Sequence, residues 1–307
     1  MTNSATLVEI KPDQPSVAVT NGQGESLRAW SFGMTDRGRV REKNEDHFLI
    51  AELIKTMRVQ GSSLAQPKTQ VGYEQGHLFL VADGMGGHQA GEQASALAME
   101  SIESFTLNHL RWFFHLEGAE ETDLIGEFQD ALRQADARII EEASRDPQLE
   151  GMGTTLTLAY FLNRNLYVVH VGDSRCYLFR DGALHQLTRD HTILDQLLTM
   201  GLVTPDQAPR HFLRHVITNV VGGAKPGLDV EVHKIELSPD DVVLLCSDGL
   251  TEMVHPEQIT EILKDQANPQ KACQELIEQA NRMGGKDNVT VIVSRFESSR
   301  QPPRQTS

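Results

Sequence analysis

Cysteine is scarce in this chain, with three residues in 307: Cys176, Cys246 and Cys273. Their odd number and wide spacing exclude a disulfide framework and any CxxC zinc pattern, so a reducing cytosol is the expected compartment. Long apolar runs are missing too. Nothing approaches the roughly 20 residues that a membrane span needs, and the opening MTNSATLVEIKPDQPSVAVTNGQGES has no basic stretch leading into an apolar core. Neither a membrane anchor nor export is expected. Positive charge is in deficit, with 28 Lys and Arg against 43 Asp and Glu, a formal net charge of −15 and a pI near 5.2. No net positive field exists to draw in nucleic acid or an anionic membrane. HExxH and HxH patterns are also absent, which removes the usual histidine-based zinc sites.

What is present is a patterned chain behind an unpatterned start. Residues 1–28 are rich in Ser, Thr, Pro, Gln and Gly without period, the composition of a disordered tail outside the fold. From residue 29 to 298 the pattern is that of one domain, with 299–307 as a short C-terminal tail. Strands are predicted over WSFGMTDRGRV, NEDHFLIAEL, HLFLVAD, TTLTLAYFL, LYVVHVGDS, RCYLF, DDVVLLCSDG and NVTVIVSRF. Helical spacing joins Ala94, Leu97, Ala98, Ile102 and Phe105, and again Leu124, Phe128, Leu132, Ala135 and Ile139, the second helix with Thr122 as its N-cap. Further helices are expected from Pro256 to Asp265 and from Pro269 to Met283. The stretch HTILDQLLTMGLVTPDQAP reads as a short helix, a glycine stop and a proline-led helix. Runs of strands with paired helices favour an α+β sandwich over a doubly wound parallel sheet.

The strands end in acids. VADG places Asp83, VGDS places Asp173, CSDG places Asp248, and GGKDN places Asp287 just ahead of the last strand; KNED adds Glu45 and Asp46. Asp-Gly is a hairpin signal, and for Asp181 in RDG that reading suffices. For Asp83 and Asp248 it does not, because helix-prone sequence follows both. If these carboxylates converge, like charges about 4 Å apart cost about 1 kcal/mol in water and about 4 at a protein surface. A divalent cation answers that repulsion, and an all-oxygen ligand set selects Mg²⁺ or Mn²⁺ over Zn²⁺. Two ions on a shared carboxylate would turn a bridging water into hydroxide near neutral pH. Gly84, Gly86 and Gly87 let backbone come close to such an ion. A nucleotide loop fails on spacing, since Gln89 holds the third glycine position.

Taken in order, TDRGRVREKNED, LFLVADGMGGHQAGE, GMGTTLT, VVHVGDSRCYLFRDG, LTRDHT, LLCSDGL and GGKDNVTVIV resemble the metal-dependent protein serine/threonine phosphatases of the PP2C type, in their bacterial form. The resemblance runs from about Phe32 to Phe296. It implies a four-layer αββα sandwich with two central antiparallel β-sheets and a metal centre at one end. By the same resemblance Asp83 bridges two Mn²⁺ or Mg²⁺ ions, Gly84 binds through its carbonyl, and Asp248 and Asp287 complete the first ion. Asp173 serves a third, weaker ion, sharing Asp248. Glu45 and Asp46 hold metal-bound waters, and Arg41 grips the substrate phosphate, a task that suits a guanidinium fork. Some members carry a general-acid histidine where this chain has Met85; the role does not transfer to His88, read as a surface histidine, and a metal-bound water is left to protonate the leaving group. Residues 192–222 correspond to a mobile flap.

The implied activity is hydrolysis of phosphoserine and phosphothreonine in proteins, without a covalent phosphoenzyme. Implied partners are phosphoproteins and a cognate kinase, for a monomeric enzyme. Other phosphatase chemistries lack their residues: no cysteine is followed six positions later by arginine, no DxDxT occurs, and GDSR has no histidine-rich companions. The alternative is a catalytically silent regulator of the same fold that binds phosphoproteins or a kinase. Its usual signature is loss of ligands, and Asp83, Asp173, Asp248 and Asp287 are all retained.

Overall fold

The structure is a computed structural model that describes residues 6–9, 27–57, 70–86, 89–108, 119–208, 211–224 and 227–298. One antiparallel sheet joins β1 (Thr6–Glu9), β2 (Leu27–Asp36), β8 (Arg175–Arg180), β9 (Ala183–Gln186), β12 (Val242–Cys246) and β13 (Val289–Ser298), in the order β1-β2-β13-β12-β8-β9. The other joins β3 (Asp46–Met57), β4 (Gln70–Met85), β5 (Gly153–Thr154), β6 (Leu156–Leu162), β7 (Asn165–Val171), β10 (Val221–Gly222) and β11 (Glu231–Glu236), in the order β10-β5-β4-β6-β7-β11 with β3 on β4. Helices α1 (Gln89–Asn108) and α2 (Ala119–Arg145) cover the second sheet. The first is covered by α5 (Pro256–Asp265) and α6 (Pro269–Arg282). Short helices α3 (Ile193–Thr199) and α4 (Asp248–Thr251) lie in the connections.

The period of two in the strands builds these layers. In β6, Leu156, Leu158, Tyr160 and Leu162 face the α1–α2 core, while Ala159 and Phe161 face the other sheet. Strand β12 does the same, sending Val242, Leu244 and Cys246 toward α5 and α6 and Val243 and Leu245 inward. Both strands are therefore buried on two faces, which explains why they read as continuous apolar runs. Each fully buried large side chain contributes about 1.5–3 kcal/mol.

Two expectations are corrected. Thr6–Glu9 pairs with β2 through residues 32–35, so the N-terminal tail is not wholly outside the fold. Helix α2 begins at Ala119, which puts Thr122 inside it instead of at its N-cap. Of the proline-led helix expected after Gly201, the described part is a single helical turn, with Gln207 N–H and Ala208 N–H donating to Thr204 O at 3.0 and 3.2 Å. Pro209 and Arg210 lie outside the described residues. The β8–β9 hairpin is as read, with Asp181 at φ 51° and Gly182 at φ 80°. No helix among the described residues is long and apolar enough to cross a membrane.

Candidate metal centre

Strand pairing does the first part of the assembly. Asp46 and Asp83 are opposite one another at the end of β3 and β4, and Gly84 pairs with Thr154. The backbone of Asp83 is tied down on every side: its N–H donates to Thr155 Oγ1 at 3.0 Å, and its carbonyl accepts from Thr154 Oγ1 at 2.8 Å and Thr155 N–H at 2.9 Å. Only the carboxylate is left over. Gly84 N–H donates to Glu45 O at 3.2 Å, and a Cβ at Gly84 would sit 2.0 Å from Gly91 O. No other residue fits where the start of α1 crosses the strand.

The first sheet and the turns leading into it supply the rest. Asp248 opens α4 after Ser247, whose hydroxyl donates to Asp46 Oδ2 at 2.7 Å across the cleft and accepts from Thr290 N–H at 3.0 Å. Asp173 follows Gly172, held at φ 113° where a Cβ would meet Thr155 at 2.6 Å. Asp287 precedes β13, and its Oδ2 accepts from Arg41 Nη2 at 2.6 Å. The loop bearing Arg41 and Glu45 is stapled by Asn288, which accepts from Glu45 N–H at 2.8 Å and donates to Arg37 O at 2.9 Å and Lys43 O at 2.8 Å.

The charges of these groups act on one another. Burial, then Asp46, Asp248, Asp173 and Asp287, hold the Asp83 carboxyl well above its usual range. Burial, then Asp173, Glu252, Asp287 and Asp46, do the same to Asp248. Burial raises Asp46 to about 6, against the lowering by Ser247 and Thr290. Asp173 is raised to about 7, by burial and then by Asp190. Arg41 is raised by its bond to Asp287 and by the charges of Asp287, Glu45 and Asp83. Acids from separate parts of the chain thus share one electrostatic site.

The donor set fits hard divalent cations. Asp46 Oδ1, Asp173 Oδ1 and Asp248 Oδ1 are buried acceptors with no donor, a costly arrangement unless something positive completes it. Carboxylates this close otherwise favour protons, and a divalent ion meets the same repulsion with the ligands still charged. Asp83, Asp248 and Asp287 with the Gly84 carbonyl would hold such ions, and Asp173 with Asp248 a further one.

Arg41 is half exposed and already engaged by Asp287, so a phosphate would have to compete for part of its fork. Met85 is 38% exposed and has no proton to give; His88 and Gly87 lie outside the described residues. Sequence reasoning missed several residues. Asn288 and Ser247 stand beside acids that were singled out, and nothing in the sequence marked what they would bond. His191 was also missed: its Nδ1 accepts from Gly172 N–H at 3.1 Å and from Asn219 Nδ2 at 2.9 Å, joining the 192–222 segment to the Asp173 turn. His215 and Glu252 lie beside Asp248, so the acidic cleft has a histidine at its edge.

Residues 56–282 match the family described as Protein phosphatase 2C. The chain is 37% identical over 263 residues to the serine/threonine protein phosphatase PstP of Mycobacterium tuberculosis, covering 85% of this chain and 43% of that relative's length. It therefore spans less than half of that protein. It is 32% identical to the serine/threonine phosphatase stp of Listeria innocua, over 84% of this chain and 92% of the relative. A crystal structure of the catalytic domain of PstP in complex with two manganese ions superposes with a TM-score of 0.68 at 33% identity, covering 89% of this chain and 100% of that one. The layered sheets, the shared carboxylate site and these likenesses agree, and the chain belongs to the protein phosphatase 2C family.

Proposed function

We propose that the chain is a metal-dependent protein phosphatase that hydrolyses phosphoserine and phosphothreonine in proteins. The observation that carries this reading is the mutual charge of Asp46, Asp83, Asp173, Asp248 and Asp287 within one partly buried cleft, with acceptor oxygens left open. Bound Mn²⁺ or Mg²⁺ would supply Lewis-acid polarisation of phosphate oxygens and a water acidic enough to attack at neutral pH. The chain's residues do the positioning. Asp83, Gly84, Asp248 and Asp287 hold the ions, Glu45 and Asp46 orient water around them, and Arg41 aligns the phosphate for in-line displacement. The PstP structure with two manganese ions supports the cofactor assignment.

Cysteine chemistry is disfavoured by the same geometry. All three thiols are free and buried, and burial pushes Cys246 up to about 12. Free thiols also fit a reducing cytoplasm. We assign residues 29–298 as the catalytic domain and 192–222 as its flap, where Phe212 is 82% exposed and offers a contact for phosphoprotein substrates. The products of a cognate serine/threonine kinase are the substrates this predicts, acted on by a monomer. The direct assay uses a phosphothreonine peptide with Mn²⁺. Activity should vanish with a chelator and fall at least about 100-fold in Asp83→Ala. Full activity in that variant, or activity indifferent to chelation, refutes the proposal.

A further inference from the structure

Asp248 and Glu252 lie one helical turn apart. Glu252 N–H donates to Asp248 O at 2.8 Å, and that spacing sets the two carboxylates on one face. Facing them is His215, from the connection between α3 and β10. One ligand atom from each of His215, Asp248 and Glu252 lies within 4.8 Å of the others, and His215 Nδ1 contacts Glu252 Oε1.

The backbone fixes the approach of this histidine. Val216 N–H donates to Leu213 O at 3.1 Å, and Val216 O accepts from Ile193 N–H at 2.9 Å, which ties His215 to the start of α3. The side chains of His215 and Glu252 are 46% and 22% exposed, leaving a hydrated ion a way in. Asp248 Oδ1 is buried with no donor. Asp173, only 8% exposed, likewise has an unpartnered Oδ1, and the charge of Glu252 acts on it. An ion pair between His215 and Glu252 leaves both of those oxygens unanswered.

We propose that His215, Asp248 and Glu252 form a mixed nitrogen and oxygen site for a transition-metal divalent ion, which fastens the 192–222 segment to the acidic cleft. The inference rests on the metal-dependent reading above and adds a nitrogen ligand to a cleft otherwise lined by carboxylates. Imidazole suits Zn²⁺, Ni²⁺ or Cu²⁺ far better than Mg²⁺ or Mn²⁺, so this site and the hard-cation site differ in preference. By linkage, an ion that binds only the docked segment stabilises docking.

The test uses the full chain labelled with ¹⁵N-histidine and titrated with Zn²⁺ alone, a diamagnetic probe, while imidazole nitrogens are followed by NMR. One imidazole should move to the metal-bound position and be missing in His215→Ala. By calorimetry, that variant should lose at least about tenfold in affinity for one Zn²⁺, and His215→Asp should recover part of it. Chelator-sensitive phosphatase activity should persist in His215→Ala at saturating Mn²⁺, since the residue is outside the Asp83 site. Unmoved His215 nitrogens with Zn²⁺ bound, or equal Zn²⁺ affinity in wild type and His215→Ala, overturn the inference and leave the proposed function standing. Failure to bind either ion at all overturns both.

Discussion

Asn288 spends its whole side chain on the loop that carries Arg41 and Glu45, through bonds to Glu45 N–H, Arg37 O and Lys43 O. Each such bond contributes about 1 kcal/mol, and leaving buried partners unpaired costs more. Asn288→Ala should therefore release the loop and displace Arg41 while both sheets remain intact. Steady-state kinetics on a phosphopeptide should show kcat/KM lower by about 10–100-fold, with far-ultraviolet circular dichroism unchanged. Wild-type kinetics in this variant would mean that the loop is held by other contacts. Gly84 shows the opposite kind of requirement: its role in packing is an absence, the missing Cβ that would collide with Gly91 O.

At the scale of elements, the turn bearing Asp173 is braced by the segment that follows β9. Arg175 Nε and Nη2 donate to Asp190 Oδ1 and Oδ2 at 2.8 and 2.6 Å, and His191 N–H donates to Gly172 O at 2.7 Å. A two-pronged bond of this kind has no lysine equivalent. Arg175→Lys should lower the melting temperature by several degrees, for about 1–3 kcal/mol lost. It should also weaken Mn²⁺ binding at Asp173 more than at Asp83, as read by calorimetry. Equal weakening at both sites would show that the brace serves the cleft as a whole. The sequence motifs LTRDHT and VGDSR were legible as family likeness. That they bond to each other was not, because 15 residues separate Arg175 from Asp190 and nothing in their spacing encodes a contact.

Across the whole molecule, strand pattern was the most legible feature, since period-two burial between a sheet and a helix layer writes itself into apolar runs such as β6 and β12. Polar residues that brace a site leave no period, which is why Ser247, Asn288 and His191 emerged only from the fold. His77 tests the interior as a unit. Its ring stacks on Phe79 and lies tilted against Phe161, at ring separations of 6.3 and 6.0 Å, and burial lowers it to about 4. With the folded value below the unfolded one, near 6.5, its stabilising share is full above about pH 6.5 and is lost as pH falls toward 4. Between pH 7 and 5 that loss is on the order of 2 kcal/mol. Melting curves at fixed metal should show His77→Phe less sensitive to that pH change than the wild type; identical slopes would contradict the burial argument. The most direct test of the central claim, that acids from distant parts of the chain trap hard cations together, is anomalous diffraction at the manganese edge from crystals grown with Mn²⁺. The account predicts ion peaks touching Asp83, Asp248 and Asp287, and ordered manganese touching none of these would contradict it.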